Sequence, residues 1–303
     1  MESVSQILSK LQVFCVIVVA ILTPEADGKI YDLSHVHSSD LFYFPGSLPY
    51  NRTHVIARDI KPGMYVNAAV ITSGEHVGTH MDAPAHFVRG GDPLEKVSVE
   101  RTIADGVHIN CRAEAAAHRD YMVPMQKILD WEKENGRIPD GAAVLFNFGW
   151  SLRFNNITDY AGSDQLDDQF TFVQPAVTAE VGQWLLRERK MKIIGVDTFS
   201  PDPSLLNGTA VTEMPNHHNI LGAGSLIVEN MKIPADLPAR GFRFHATPVM
   251  FEGSGGTQVR AFAMTYDPKS CPDAASVLSP QHPLIMLAAY CCLSTLFLRL
   301  LSG

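Results

Sequence analysis

Residues 178–197 read TAEVGQWLLRERKMKIIGVD, and this stretch decides the fold class. Thr178 carries a side-chain oxygen able to cap a helix N-terminus. Val181, Trp184 and Leu185 follow at helical spacing and give one apolar face on a helix that reaches Lys190. Then comes Lys192-Ile-Ile-Gly-Val-Asp197, an apolar run of strand length that ends on a carboxylate. The same order occurs upstream. Pro124 opens a helix over Met125–Asn135 with Met125, Ile128, Leu129 and Trp131 on one face, and Gly136 closes it. After the Pro139-Asp-Gly turn, Ala142 to Phe148 form a second apolar run. Helix, turn, buried strand and a polar residue at the strand's C-terminal end is α/β construction, in which sites collect at strand ends.

The composition permits such a core. Of 303 residues 46% are hydrophobic and 18% charged, which excludes a disordered or fibrous chain. A formal net charge of -8, with 24 Lys+Arg against 32 Asp+Glu, argues against nucleic acid as a partner. No internal repeat, low-complexity tract or interior linker divides the chain, so one domain is expected over 27–270.

Both ends read as processing or anchoring segments. Lys10 precedes an uncharged run from Leu11 to Leu22, which is short of the ~20 residues a membrane span needs and fits a secretory signal peptide within 1–26. In 271–303, the small residues Asp273, Ala274, Ala275 and Ser276, a spacer with Pro280 and Pro283, and an apolar tail from Leu284 have the order of a GPI-anchor signal. A single C-terminal transmembrane helix is the alternative. Asn51, Asn156 and Asn207 each begin a glycosylation sequon. Together these place the protein in the secretory pathway, on the extracellular face of the plasma membrane or secreted. Cys15, Cys291 and Cys292 fall in the removable parts of the two ends and Cys111 and Cys271 survive, so one disulfide is allowed but not required, and a thiolate zinc site is not expected.

The densest chemistry is Gly74-Glu-His-Val-Gly-Thr-His-Met-Asp-Ala-Pro-Ala-His86. It brings together His76, His80, Asp82 and His86, and imidazole with carboxylate suits zinc, manganese or iron. His76 and His80 would align on a helical turn, His80 and Asp82 on extended chain; Gly78 and Pro84 predict an irregular turn that converges them. Further along, His217, His218 and Glu229 offer more ligands, and an ionised Glu229 ending the run Leu226-Ile-Val needs a partner if buried. No Gly-x-Ser-x-Gly elbow, His-Glu-x-x-His motif, Walker loop or Gly-x-Gly-x-x-Gly appears, and Gly253-Ser-Gly-Gly reads as a turn. A metal hydrolase survives elimination.

The stretch from His76 to Phe87 resembles the signature of the metal-dependent cyclase family, which includes bacterial kynurenine formamidase and isatin hydrolase. Tyr31-Asp-Leu-Ser-His, Phe44-Pro-Gly, Phe148-Gly-Trp, Gly195-Val-Asp-Thr-Phe-Ser-Pro-Asp202 and the His217–Glu229 pair extend the likeness over about Ile30 to Met264. The resemblance implies a single-domain cyclase-like α/β fold of the swivelling β/β/α type, with a mixed sheet and flanking helices. It implies His76, His80, Asp82, His217 and Glu229 as ligands of one or two divalent ions, zinc first and manganese second, and His86 as the proton-transfer residue. His218 is the alternative to His217, although the spacing to Glu229 favours His217. Phe148 departs from the family, which reads threonine there.

The activity so implied is hydrolysis of a small-molecule amide, arylformamidase-like. A cyclic amide hydrolase is the close alternative, and a cell-surface binding protein that has lost turnover is the alternative outside catalysis. Phe44 and Trp150, with Phe42 and Phe87, are candidates to hold an aromatic ring, against plain core packing for each. The membrane is expected as a partner through the tail, and a homo-oligomer is left open.

Overall fold

The apolar runs become neighbouring strands. Ala143–Asn147 (β6) and Ile193–Val196 (β7) are buried at every residue, as strands covered on both faces must be. Among the described residues the other strands of three residues or more are, in chain order, Ile30–Asp32 (β1), Asn51–Lys61 (β2), Met64–Thr72 (β3), His80–Asp82 (β4), Ile103–Asn110 (β5), Leu226–Glu229 (β8), Phe242–His245 (β9), Gly256–Gln258 (β10) and Phe262–Thr265 (β11). Nine of them form one mixed sheet in the order β1-β11-β9-β5-β6-β7-β8-β4-β10. The central β5, β6, β7 and β8 are parallel, and β9 and β4 flank them antiparallel. β2 and β3 pair with each other as a separate two-stranded arm. This computed structural model describes residues 28–266, of which Ile30–Met264 form one compact unit.

Alternation along β6 divides the core. Val144 and Phe146 enter one apolar layer, Ala143 and Leu145 the other. Among the described residues the α-helices are Arg112–Ala117 (α1), Met125–Asn135 (α2), Ile157–Ala161 (α3), Ala179–Arg189 (α4) and Pro215–Gly222 (α5). α2 starts after Pro124 and stops where Gly136 takes the left-handed side of φ, at 83°. Its Ile128 and Trp131 are buried, but Leu129 is 45% exposed, because the next residue along a helix turns about 100° away from the buried line. α4 is capped by Thr178, which accepts from the Val181 N–H, and buries Val181 and Leu185. Trp184 is half-buried beneath the Arg189 guanidinium.

The signal-peptide and anchor segments, and Cys271, lie outside the described residues. Among the described residues no helix is long and apolar enough to cross a membrane. Cys111 is buried, and burial pushes its thiol up to about 12. The three sequon asparagines, Asn51, Asn156 and Asn207, are all exposed.

Asp197, directly after β7, is fully buried. Its carboxylate accepts from the backbone N–H groups of Phe148 (2.8 Å), Trp150 (2.7 Å) and Ser151 (3.3 Å), fixing the chain where it leaves β6. Replacing it by alanine strands three donors, each worth roughly 1–3 kcal/mol when left unsatisfied in the interior. Asp197→Ala should therefore lose about 3 kcal/mol or more of stability in denaturant titration. Asp197→Asn, which keeps one acceptor oxygen, should lose less.

Candidate metal centre

β4 is three residues long and wholly buried, wedged between β8 and β10. The period of two sends Met81 into the apolar layer and leaves His80 and Asp82 together on the opposite face. Register puts Glu229 of β8 beside His80, and Gly256 of β10 beside Asp82. A Cβ at Gly256 would lie 2.4 Å from Cε1 of His76, so the missing side chain is what admits that imidazole. Gly78 adopts a left-handed φ of 67° and its carbonyl accepts from His80 Nδ1 at 2.8 Å, which leaves Nε2 to face the cluster.

His217 arrives from the first turn of α5. The Asp202 carboxylate accepts from the backbone N–H of Asn216 (2.9 Å) and His217 (3.0 Å) and from His217 Nδ1 (2.8 Å). This fixes both the helix start and the ring, a carboxylate–histidine pairing typical of metal ligands. A further tie joins the two ligand strands, since the Thr79 hydroxyl donates to the carbonyl of Asn230 at 2.7 Å.

The side chains converge. His76 Nδ1 lies 2.7 Å from Asp82 Oδ1, and His80 Nε2 lies 3.4 Å from the same oxygen and 3.2 Å from Glu229 Oε2. His217 Nε2 is 3.3 Å from Glu229 Oε1 and 3.7 Å from Asp82 Oδ2. Yet His80 Nε2, Asp82 Oδ2 and Glu229 Oε1 have no hydrogen-bond partner. They stand near one another without the alignment a hydrogen bond requires. Buried polar atoms left this way call for a missing partner, and an imidazole–carboxylate donor set aimed at a common point fits a divalent cation. Two triads satisfy ligand spacing, His76–His80–Asp82 and Asp82–His86–His217, so Asp82 is common to both.

The electrostatics agree. Burial works against charge on His80, but Asp82 and Glu229 outweigh it and raise the imidazole to about 10. His217 is likewise raised to about 10, against burial, by Asp202 and Glu229. Asp82, opposed by burial, is held well below the usual carboxylate range by His76 and His80. The cluster thus demands positive charge. His86 behaves differently. It sits on the short turn Pro84–His86, exposed at the rim with its ring stacked on His76 at 3.8 Å. Packing within the recess, with His76 and His217 nearby, pushes it down to about 4 against the pull of Asp82 and Glu229.

The geometry therefore gathers His76, His80, Asp82, His86, His217 and Glu229. His218 is exposed and stays outside the cluster. Phe44 is half-buried in an aromatic group with Phe42, Phe172 and Phe199. Trp150 lies in the core. It is 1% exposed, its Nε1 donates to the Tyr160 carbonyl, and the guanidinium groups of Arg119 and Arg153 lie over its ring, so it offers a ligand no surface. The aromatic ring at the cluster is Phe87, 4.5 Å from His217 and 4.7 Å from His86. Asp202 and Gly256 were not legible as parts of the site. Asp202 ends the stretch Gly195–Asp202 with no local sign of its partner, and Gly256 reads only as part of a turn.

The Cyclase family profile matches residues 31–203, more than half of the chain. An isatin hydrolase of Roseibium aggregatum is 28% identical over 230 residues, covering 73% of this chain and 83% of that protein. A kynurenine formamidase of Polaromonas naphthalenivorans is 25% identical over 240 residues, covering 77% of this chain and 89% of that protein. The structure of isatin hydrolase A from Ralstonia solanacearum superposes with a TM-score of 0.70 at 27% identity, over 82% of this chain and 96% of that one.

If the cluster holds a cation, His80→Ala and Asp82→Ala should abolish stable metal retention through dialysis, and the melting temperature should drop with it, because a ligand bound only by the folded state stabilises by mass action. Asp202→Asn should weaken metal affinity about 10–100-fold while leaving the ligands in place. Metal analysis of the purified variants decides; normal content in both alanine variants would leave only a hydrogen-bonded core network.

Proposed function

This chain belongs to the Cyclase family, and on that premise we propose that it is a metal-dependent hydrolase of a non-peptide amide bond. The observation that carries the reading is the set of ligand atoms on Asp82, Glu229 and His80, buried together with no partner among themselves. His76, His80, Asp82, His217 and Glu229 would hold the divalent metal, zinc by preference and manganese second. Such an ion, when bound, polarises a carbonyl and lowers the pKa of water toward about 7.

The chain's own groups supply the rest. His86 is held neutral by its surroundings, so its imidazole can accept a proton from the attacking water and return it to the departing nitrogen. Its place on the rim lets it reach substrate from the solvent side of the buried cluster. Phe87 presents a ring beside it for an aromatic substrate, and the strand-held carboxylates stay fixed while the proton moves. The substrate proposed first is an N-formyl aromatic amide, as in an arylformamidase. The likeness to isatin hydrolases favours a cyclic aromatic amide as the second reading. We also place the protein on the extracellular face or in the secreted fraction; the exposed Asn51, Asn156 and Asn207 support this, and loss of apparent mass on glycosidase treatment would test it.

The direct test is hydrolysis of a panel of N-formyl and cyclic aromatic amides by the metal-loaded chain. Activity on neither class sinks the substrate assignment. His86→Ala should keep most of the metal and lose roughly 10²–10⁴-fold in turnover at equal loading, the range of a general acid–base group. Turnover at the wild-type rate would remove His86 from the mechanism, and loss of metal would make it a ligand instead.

A further inference from the structure

We propose that the cavity between α1 and the turn after β6 is a binding site for a small organic carboxylate, held by the Arg112 guanidinium against an apolar wall. The cavity has a volume of about 350 Å³ and is lined by Arg112 and Ala115 of α1, by Phe148, Leu152 and Arg153 of the turn, and by Asp159 of α3. None of these residues belongs to the metal centre. β6 stands two strands from β8, which carries Glu229, a separation of about 10 Å across the sheet.

Arg112 is the group that asks for a ligand. It is half-buried, yet among the described residues its guanidinium has no hydrogen-bond or ion-pair partner; its own backbone N–H alone is engaged, by Asn110. Gly149, at a left-handed φ of 70°, gives it a place to lie. A Cβ on that glycine would come 3.3 Å from Cγ and 3.4 Å from Cζ of Arg112. A guanidinium partly withdrawn from water and left without an acceptor is unfavourable, and its planar fork matches a carboxylate through two parallel hydrogen bonds.

The neighbouring carboxylate is already committed. Both oxygens of Asp159 accept from Arg153, at 2.8 and 3.0 Å, and one accepts from Arg119 at 3.1 Å. Even so Arg119 Nε is buried without a partner. Three guanidinium groups against one carboxylate leave a surplus of two positive charges here, in a chain whose net charge is -8. The remaining wall is apolar: Ala115 and Phe148 are buried, and Leu152, 76% exposed, stands at the mouth.

These features select the ligand class. A free fork beside an apolar wall suits a monoanion with a hydrocarbon body, such as an aryl carboxylate. Phosphate would leave the wall uncovered, and a neutral ring would leave Arg112 unpaired. The volume lies at the small end of ligand pockets, which begin near roughly 300 Å³, so one ring with its carboxylate is the scale of the occupant. The Phe148–Ser151 turn that Asp197 fixes forms one side of the cavity, so an occupant should brace that turn and stabilise the fold by mass action.

The test uses the metal-loaded full chain, with calorimetry and thermal melting against benzoate, benzyl alcohol, acetate and inorganic phosphate. Wild type should bind benzoate at a single site, and its melting temperature should rise with benzoate concentration. Benzyl alcohol keeps the ring without the charge, and acetate the charge without the ring; each should bind roughly tenfold more weakly or worse. Arg112→Gln should weaken benzoate roughly tenfold or more at unchanged metal content. Should that variant fail to fold, Leu152→Ser at the exposed mouth serves instead, weakening benzoate while leaving acetate unaffected. No binding at millimolar benzoate overturns the proposal, as does phosphate binding more tightly than benzoate. Undiminished benzoate affinity in folded Arg112→Gln also overturns it, because the carboxylate would then sit elsewhere, on the metal centre first.

Discussion

Two carboxylates, Asp82 at 0% and Glu229 at 4% exposure, stand on adjacent strands of the sheet with three imidazoles around them. Charge taken out of water is costly unless it is both paired and hydrogen-bonded. Here the pairing is close and the hydrogen bonding is incomplete. Protons on His80 and His217 can supply positive charge, which is why both imidazoles are raised to about 10. A cation supplies the same charge and also satisfies the lone pairs that a proton cannot reach. Much of the local architecture is explicable as what holds this otherwise unfavourable group together.

The holding is done by backbone. β4 is too short to be stable alone, but it is paired on both edges and carries its two ligands on one face. Glycine is required twice, at Gly78 for a left-handed turn and at Gly256 for room beside His76. Asp202 fixes the first turn of α5 and the His217 ring with one carboxylate. Asn230, with a left-handed φ of 52°, takes the Thr79 hydroxyl on its carbonyl directly after Glu229. Ligand positions set by strands and a capped helix are more exact than loops allow.

The parts of this that sequence discloses are those governed by local periodicity. The α2 and α4 boundaries, β6 and β7 follow from helical and strand repeats and their caps. The density of His76, His80, Asp82 and His86 is local too, and the structure collects all four. What depends on tertiary register is not written in any short window. Asp202 reaches His217 only because the chain folds back after β7, and Gly256 faces His76 only through the β10–β4 pairing. Trp150 misleads for the same reason: a large aromatic beside a glycine looks like pocket lining until the two guanidinium groups and the Tyr160 carbonyl are found on it. The β2–β3 arm has no signature in the sequence, since an exposed ribbon has neither the alternation of a half-buried strand nor a polar loop's composition.

The arrangement separates chemistry from selection. His80, Asp82, His217 and Glu229 are each 4% exposed or less and rest on regular elements, so a change at the rim leaves them where they are. His86 and Phe87 belong to the short turn and its end, outside the sheet. A Cβ at Gly255 would lie 3.2 Å from the Cα of His86, so the glycine-bearing loop before β10 runs close beside the same rim. A buried ligand set tolerates few substitutions because each would strand charge, whereas an exposed turn and loop tolerate many. Differences in which amide is accepted should therefore reside in the rim, and the common hydrolytic step in the buried cluster beneath it.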